Sequence, residues 1–220
     1  MLIGGPERAR ATIVLAHGAG APMDTPYMNA IADGLAAAGL RVVRFEFDYM
    51  AKRRIDGKRR GPDRMPALLS RWDAVLEDIG KPEAPLFIGG KSMGGRSAAM
   101  FAAQPEHQGR IAGVVCLGYP FHPPGKPENT RLEPLQAATS PVQIVQGERD
   151  PFGTPADIAN YDLREPVAIS WIPDGDHSFM PRKRSGHTEA ENLSLAVQIV
   201  TTFVDAVAEG SGSRNQEFVD

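Results

Sequence analysis

The segment "GGKSMGGR", Gly89 to Arg96, follows the apolar run Leu86-Phe87-Ile88 and leads into Ser97-Ala98-Ala99-Met100-Phe101-Ala102-Ala103. A buried strand that turns at once into a small-residue helix, with a serine between two glycine pairs, leaves few options. One is a phosphate-binding loop, G-x-x-x-x-G-K-[ST], whose backbone N–H groups cradle a phosphate. That pattern needs a glycine where Pro85 stands, and Leu86 to Ile88 are strand material, so the spacing excludes it. The other is the G-x-S-x-G elbow, in which a serine sits in a strained turn and the residues two before and two after it must be small. Gly90 and Gly94 hold those positions. The plain alternative is a serine that only caps the helix. The elbow is credible only if its partners occur elsewhere.

The surrounding pattern supplies the context. "TIVLA", "RVVRFEF", "PLFIG", "GVVCLG", "VQIVQG" and "VAISWIP" are short apolar runs without polar alternation. Between them lie helical patterns: "MNAIADGLAAAG", then "ALLSRWDAVLEDIG" with Leu68, Trp72, Val75, Leu76 and Ile79 on one face, then Ser92 to Ala103, and "LSLAVQIVTTFVDAVA" at the end. Buried strands alternating with helices predict a doubly wound, mostly parallel α/β sheet of six to seven strands covered on both faces. One domain over residues 1–208 is expected, with 209–220, "EGSGSRNQEFVD", as a polar tail. The stretch between Leu117 and Ser140 is short and proline-rich, so no sizeable lid is expected.

An elbow serine needs a base and an acid, and the chain order serine, acid, histidine fits. "PDGDHSF" puts His177 directly after the last strand, and "VQIVQGERDPFGTP" puts Asp150 after the strand before it. Glu148 is the rival acid, but it stands too near the strand end. Asp174 and Asp176 flank His177 and are assigned to turn formation. Two backbone donors are needed for an oxyanion. Met93, after the serine, is one, and Ala19 in "LAHGAGAPMD" is the other, with Gly20 next to it. His17 is expected to brace that loop by hydrogen bonding, while His107, His122 and His187 are assigned to loops.

With "AHGAG", "GGKSMGGR", "GERDPFGTP" and "DGDHSF" in order from Thr12 to the final helix, the chain resembles the α/β-hydrolase superfamily. More narrowly it is similar to the small lidless hydrolases near dienelactone hydrolase and to the hydrolase-like subunit of a histone acetyltransferase complex. The resemblance implies a serine hydrolase cleaving a small carboxylic ester or thioester through an acyl-enzyme, with Ser92, His177 and Asp150 as its triad and no metal or organic cofactor. The subunit resemblance implies a second possibility, a non-catalytic binding or scaffold module. Dienelactone hydrolase uses a cysteine nucleophile, whereas this chain has Ser92, and Cys116 stands in mid-strand.

The segment "DYMAKRRIDGKRRGPDR" concentrates Lys52, Arg53, Arg54, Lys58, Arg59, Arg60 and Arg64 at the carboxyl end of the second strand, where such sheets bind ligands. It is read as a solvated loop. The alternative is that Arg53, Arg54, Arg59 and Arg60, with Arg182 to Arg184 near His177, steer an anionic acyl substrate. A net charge of −3 and a near-absence of interleaved aromatics give no expectation of nucleic-acid binding. No contiguous apolar run approaches the ~20 residues of a membrane span. With one cysteine and no signal-peptide pattern in "MLIGGPERAR", a cytoplasmic location is expected. The oligomeric state is left open.

Overall fold

The computed structural model describes residues 1–216, with side chains described through residue 210. Its strands are β1 (Leu2–Gly4), β2 (Thr12–Ala16), β3 (Arg41–Phe45), β4 (Leu86–Lys91), β5 (Gly113–Leu117), β6 (Val142–Gly147) and β7 (Val167–Ile172). They form one sheet in the order β1-β3-β2-β4-β5-β6-β7. All neighbours run parallel except β1, which is antiparallel to β3. The six parallel strands are those expected from the sequence. Strand β1 escaped notice because it is three exposed residues with no buried face to impose a pattern.

Side chains alternate across a strand, and here both faces are covered. From β2, Ile13 and Leu15 point into a core shared with α1 (Pro26–Ala37) and α7 (Glu189–Gln216), through Ile31, Leu35, Val200 and Val204. Val14 and Ala16 point the other way, into a core shared with α3 (Met65–Ile79) and α4 (Met93–Ala102), through Trp72, Val75 and Phe101. Trp72 is fully buried, and its Nε1–H donates to Ser97 Oγ at 3.0 Å, which pins α3 to α4. Gly34 in α1 lets α7 approach closely, since a Cβ there would lie 2.7 Å from Val197 Cγ2.

Two expectations need correction. The basic segment is not a loop throughout: Asp48–Asp56 form a helix, α2, closed by Gly57 in the left-handed conformation at φ 70°. Its Tyr49 and Met50 are buried, and those two apolar anchors were hidden by the charges around them. Helix α7 also continues past the boundary expected at 208, to Gln216, and residues 217–220 of the expected tail lie outside the described residues. By length and composition, its stretch 189–210 is long and apolar enough to cross a membrane. Polar residues such as Gln198, Thr201 and Asp205 interrupt it, so no unbroken apolar run marks it in the sequence. In this structure Ala196, Val200 and Val204 are packed in the core.

Only short helices interrupt the remaining connections: α5 (Glu133–Gln136) between β5 and β6, and α6 (Pro155–Ile158) between β6 and β7. Among the described residues no large lid covers the carboxyl edge. From β2 the chain moves outward to β3, then returns to β4 on the other side of β2. The direction of winding therefore reverses between β2 and β4, and in sheets of this kind ligands bind at the carboxyl ends beside such a reversal.

Candidate active site

Ser92 stands at that reversal, between β4 and α4, with φ 52° and ψ −113°. A non-glycine residue in this region is strained by roughly 1–3 kcal/mol and persists only where its surroundings enforce it. The surroundings are backbone. A Cβ at Gly90, itself at φ 153°, would lie 2.2 Å from Ala16 O, and one at Gly94 would lie 2.6 Å from Ala16 O and 2.7 Å from His17 O. Ser92 occupies the cap position of α4, yet its side chain makes no capping bond. The plain account of the serine as a helix cap is therefore not what the structure shows.

The loop after β6 carries Asp150, fully buried, and the loop after β7 carries His177. His177 Nδ1 and Asp150 Oδ2 are 2.7 Å apart. Asp150 also accepts from Gln146 Nε2 at 2.9 Å and, through Oδ1, from the Phe152 N–H at 2.9 Å. The Phe152 ring packs on the imidazole with centroids 4.4 Å apart. Because the carboxylate accepts at Nδ1, the proton sits there and Nε2 is left as the free base. Among the described residues His177 and Ser92 make no side-chain hydrogen bond, and such bonds often tighten only in complexes. The link between them runs through Lys91, whose Nζ donates to the His177 carbonyl.

Glu148, the rival acid, accepts from the Asp174 N–H at 2.8 Å. Asp174, at φ 49°, pairs with Arg149 and Arg182, and the Arg182 hydrogen bond holds its carboxyl down at about 2. Asp176 accepts from the N–H groups of Ser178 and Met180. All three carboxylates shape the His177 loop.

The loop after β2 is held by its carbonyls. His17, fully buried, donates from Nδ1 to Gly18 O at 2.7 Å and accepts the Phe47 N–H at Nε2, 3.2 Å. Burial lowers its pKa, in keeping with this neutral tautomer. Tyr49 Oη donates to Ala19 O at 2.9 Å, and Arg53 donates to Gly20 O at 3.1 Å. In a trans peptide the N–H points opposite to the carbonyl, so bonding the Gly18 carbonyl turns the Ala19 N–H the other way. Met93 is the first residue of α4, so its N–H has no acceptor inside the helix.

The four arginines singled out in the basic segment have different surroundings. Arg54 is engaged by the buried Glu46 and by Asp24. Arg60 pairs with Asp56, Arg53 binds the Gly20 carbonyl, and Arg59 is exposed. Cys116 is fully buried in β5, and burial pushes its thiol well up, so it is no candidate nucleophile. Tyr49, Arg53 and Lys91 were not recognised as supports of the site from sequence. Only the position of Lys91, next to the serine, was a signal.

A family model described as an alpha/beta hydrolase domain matches residues 9–205. Among solved structures, Est1E from Butyrivibrio proteoclasticus superposes with a TM-score of 0.68 at 17% identity, covering 93% of each chain. Dienelactone hydrolase from Anabaena variabilis gives 0.67 at 23% identity, covering 91% of this chain and 88% of that one. An alpha-beta serine hydrolase homologue from Coxiella burnetii gives 0.65 at 21%, covering 90% and 89%. At these identities the likeness is one of fold.

Proposed function

The chain belongs to the α/β-hydrolase family, and we propose that within it the protein is a serine hydrolase that cleaves a small carboxylic ester or thioester. The observation that carries this reading is the 2.7 Å pair of His177 and the buried Asp150, tied through Lys91 to the strand that ends at the strained Ser92.

In the proposed mechanism Asp150 orients His177 and stabilises its cationic form. His177 Nε2 takes the Ser92 proton as Oγ attacks the carbonyl carbon. The N–H groups of Met93 and Ala19 receive the oxyanion, and losing one such donor typically costs ~10²–10³ in rate. His177 then protonates the leaving alcohol or thiol. Water, activated by the same imidazole, releases the acid and frees Ser92. Every step uses groups of this chain. The open carboxyl edge favours small or exposed acyl substrates, and a reducing, cytoplasmic setting suits the single buried thiol.

A fluorophosphonate probe should label the wild type once, at Ser92, and leave Ser92→Ala unlabelled. Turnover of 4-nitrophenyl acetate by Ser92→Ala at the wild-type rate would remove Ser92 as nucleophile.

A further inference from the structure

Lys91 is an unusual residue to find between Gly90 and the nucleophile. It is buried at the end of β4, and its Nζ lies 5.2 Å from the Tyr27 ring centroid and 5.7 Å from that of Phe179. The charged groups that face it are Asp150, after β6, and Asp176, after β7. Neither forms an ion pair with it. Asp150 accepts from His177, Gln146 and Phe152, while Asp176 accepts from Ser178 and Met180. The Tyr27 hydroxyl, on α1, is buried without a hydrogen-bond partner. The hydrogen bond that Lys91 does make is to the carbonyl of His177. The meeting point is narrow: a Cβ on Gly118 would lie 2.8 Å from Lys91 Nζ, 3.1 Å from His177 O and 3.2 Å from His177 Nδ1.

We propose that Lys91 is a positioning residue for catalysis: its ammonium clamps the His177 carbonyl over Gly118 and so fastens the general base to the strand that carries the nucleophile. Lys91 and Ser92 share a peptide bond, so any shift of the end of β4 carries both. The His177 loop needs such a clamp, because it contains two left-handed non-glycine residues, Asp174 at φ 49° and Phe179 at φ 67°. The clamp is also sensitive to pH. Burial pushes Lys91 down to about 8, against the opposing pull of Asp150 and Asp176. Loss of the proton turns a charge-assisted hydrogen bond into a weak one.

The inference rests on the serine-hydrolase reading, and its test is kcat and KM between pH 6 and 10 for the wild type, Lys91→Met and Lys91→Arg. Wild-type kcat should decline above about pH 8. Lys91→Met should lose about 10²-fold in kcat, the scale of a small misplacement of a reacting group, with KM within a few-fold and no such decline. Lys91→Arg should keep most of kcat and move the decline beyond pH 10, because a guanidinium stays charged. Wild-type kcat in Lys91→Met, or an unmoved decline in Lys91→Arg, would overturn the proposal. If Lys91→Met does not fold, Lys91→Arg decides alone. A wild type that no phosphonate labels fails the serine-hydrolase reading. A labelled wild type with unaltered Lys91 variants fails only the clamp.

Discussion

Ser92 keeps its strained turn because β2 allows nothing larger than hydrogen at two neighbouring positions. Replacing Gly94 by alanine would put a methyl 2.6 Å from Ala16 O and 2.7 Å from His17 O. Both are main-chain atoms, so no rotamer relieves the clash and the elbow itself must move. Gly94→Ala should lower stability by roughly 1–3 kcal/mol and abolish phosphonate labelling. Thermal unfolding and labelling, run side by side, check this; full labelling would mean that the elbow tolerates a Cβ. At Asp150 the test is chemical. Asp150→Asn keeps the size but offers the wrong partner to Nδ1, and kcat should fall about 10⁴-fold. These positions were legible in sequence because each answers to a local rule: small residues about a tight turn, and an acid and a histidine after successive strands. The function of Lys91 answers to Tyr27, Gly118 and Phe179, which arrive from three distant segments, so nothing local announces it.

Helix α2 shows how an element can be missed while its residues are noticed. Its signals were present: Asp48 in the first turn, Arg53 and Arg54 in the last, and Gly57 as the stop. Charge density concealed them, so the segment reads as a solvated loop, with long-range steering as the alternative. The folded helix uses some of that charge at short range. Tyr49 and Arg53 hold the Ala19 and Gly20 carbonyls, while Arg54 offsets the buried Glu46. A brace and a steering field predict different kinetics. Tyr49→Phe deletes one hydroxyl and no charge, and it should lower kcat about tenfold, less than the ~10²–10³ of a lost oxyanion donor. Arg53→Ala should lower kcat equally for a neutral and an anionic ester of the same size. If Arg53 steered substrate, its loss would instead raise KM for the anionic ester alone, and salt would mimic that loss as the Debye length falls from ~10 Å at 0.1 M to ~3 Å at 1 M. Paired substrates measured at both salt concentrations separate the two. A Tyr49→Phe enzyme with wild-type kcat would remove the brace.

Across the whole molecule, the parallel sheet, though not its strand order, was legible because β2, β4 and β5 are buried along their whole length and read as apolar runs, whereas the edge strand β1, exposed throughout, left no such trace. That order brings the ends of β2, β4, β5, β6 and β7 to one edge, and there, among the described residues, a lysine is buried without an ion-pair partner. The arrangement sets stability against activity, with opposite responses to pH. Lys91 holds its proton less tightly in the folded protein, at about 8, than in the unfolded chain, near 10.5. Between those values the unfolded chain binds more protons than the native state, so stability rises with pH. Below pH 8 the folded protein carries the full cost of the buried charge. Passing through the window should improve wild-type stability by about 3 kcal/mol, at 1.36 kcal/mol for each tenfold change in proton affinity. Lys91→Met has no proton to lose there. The difference in unfolding free energy between wild type and Lys91→Met, from denaturant titrations at pH 7 and pH 11, should therefore move by that amount in favour of the wild type, while wild-type turnover declines over the same interval. A pH-independent difference would mean that Lys91 titrates in the folded protein as it does in the unfolded chain, and a decline of turnover above pH 8 would need another origin.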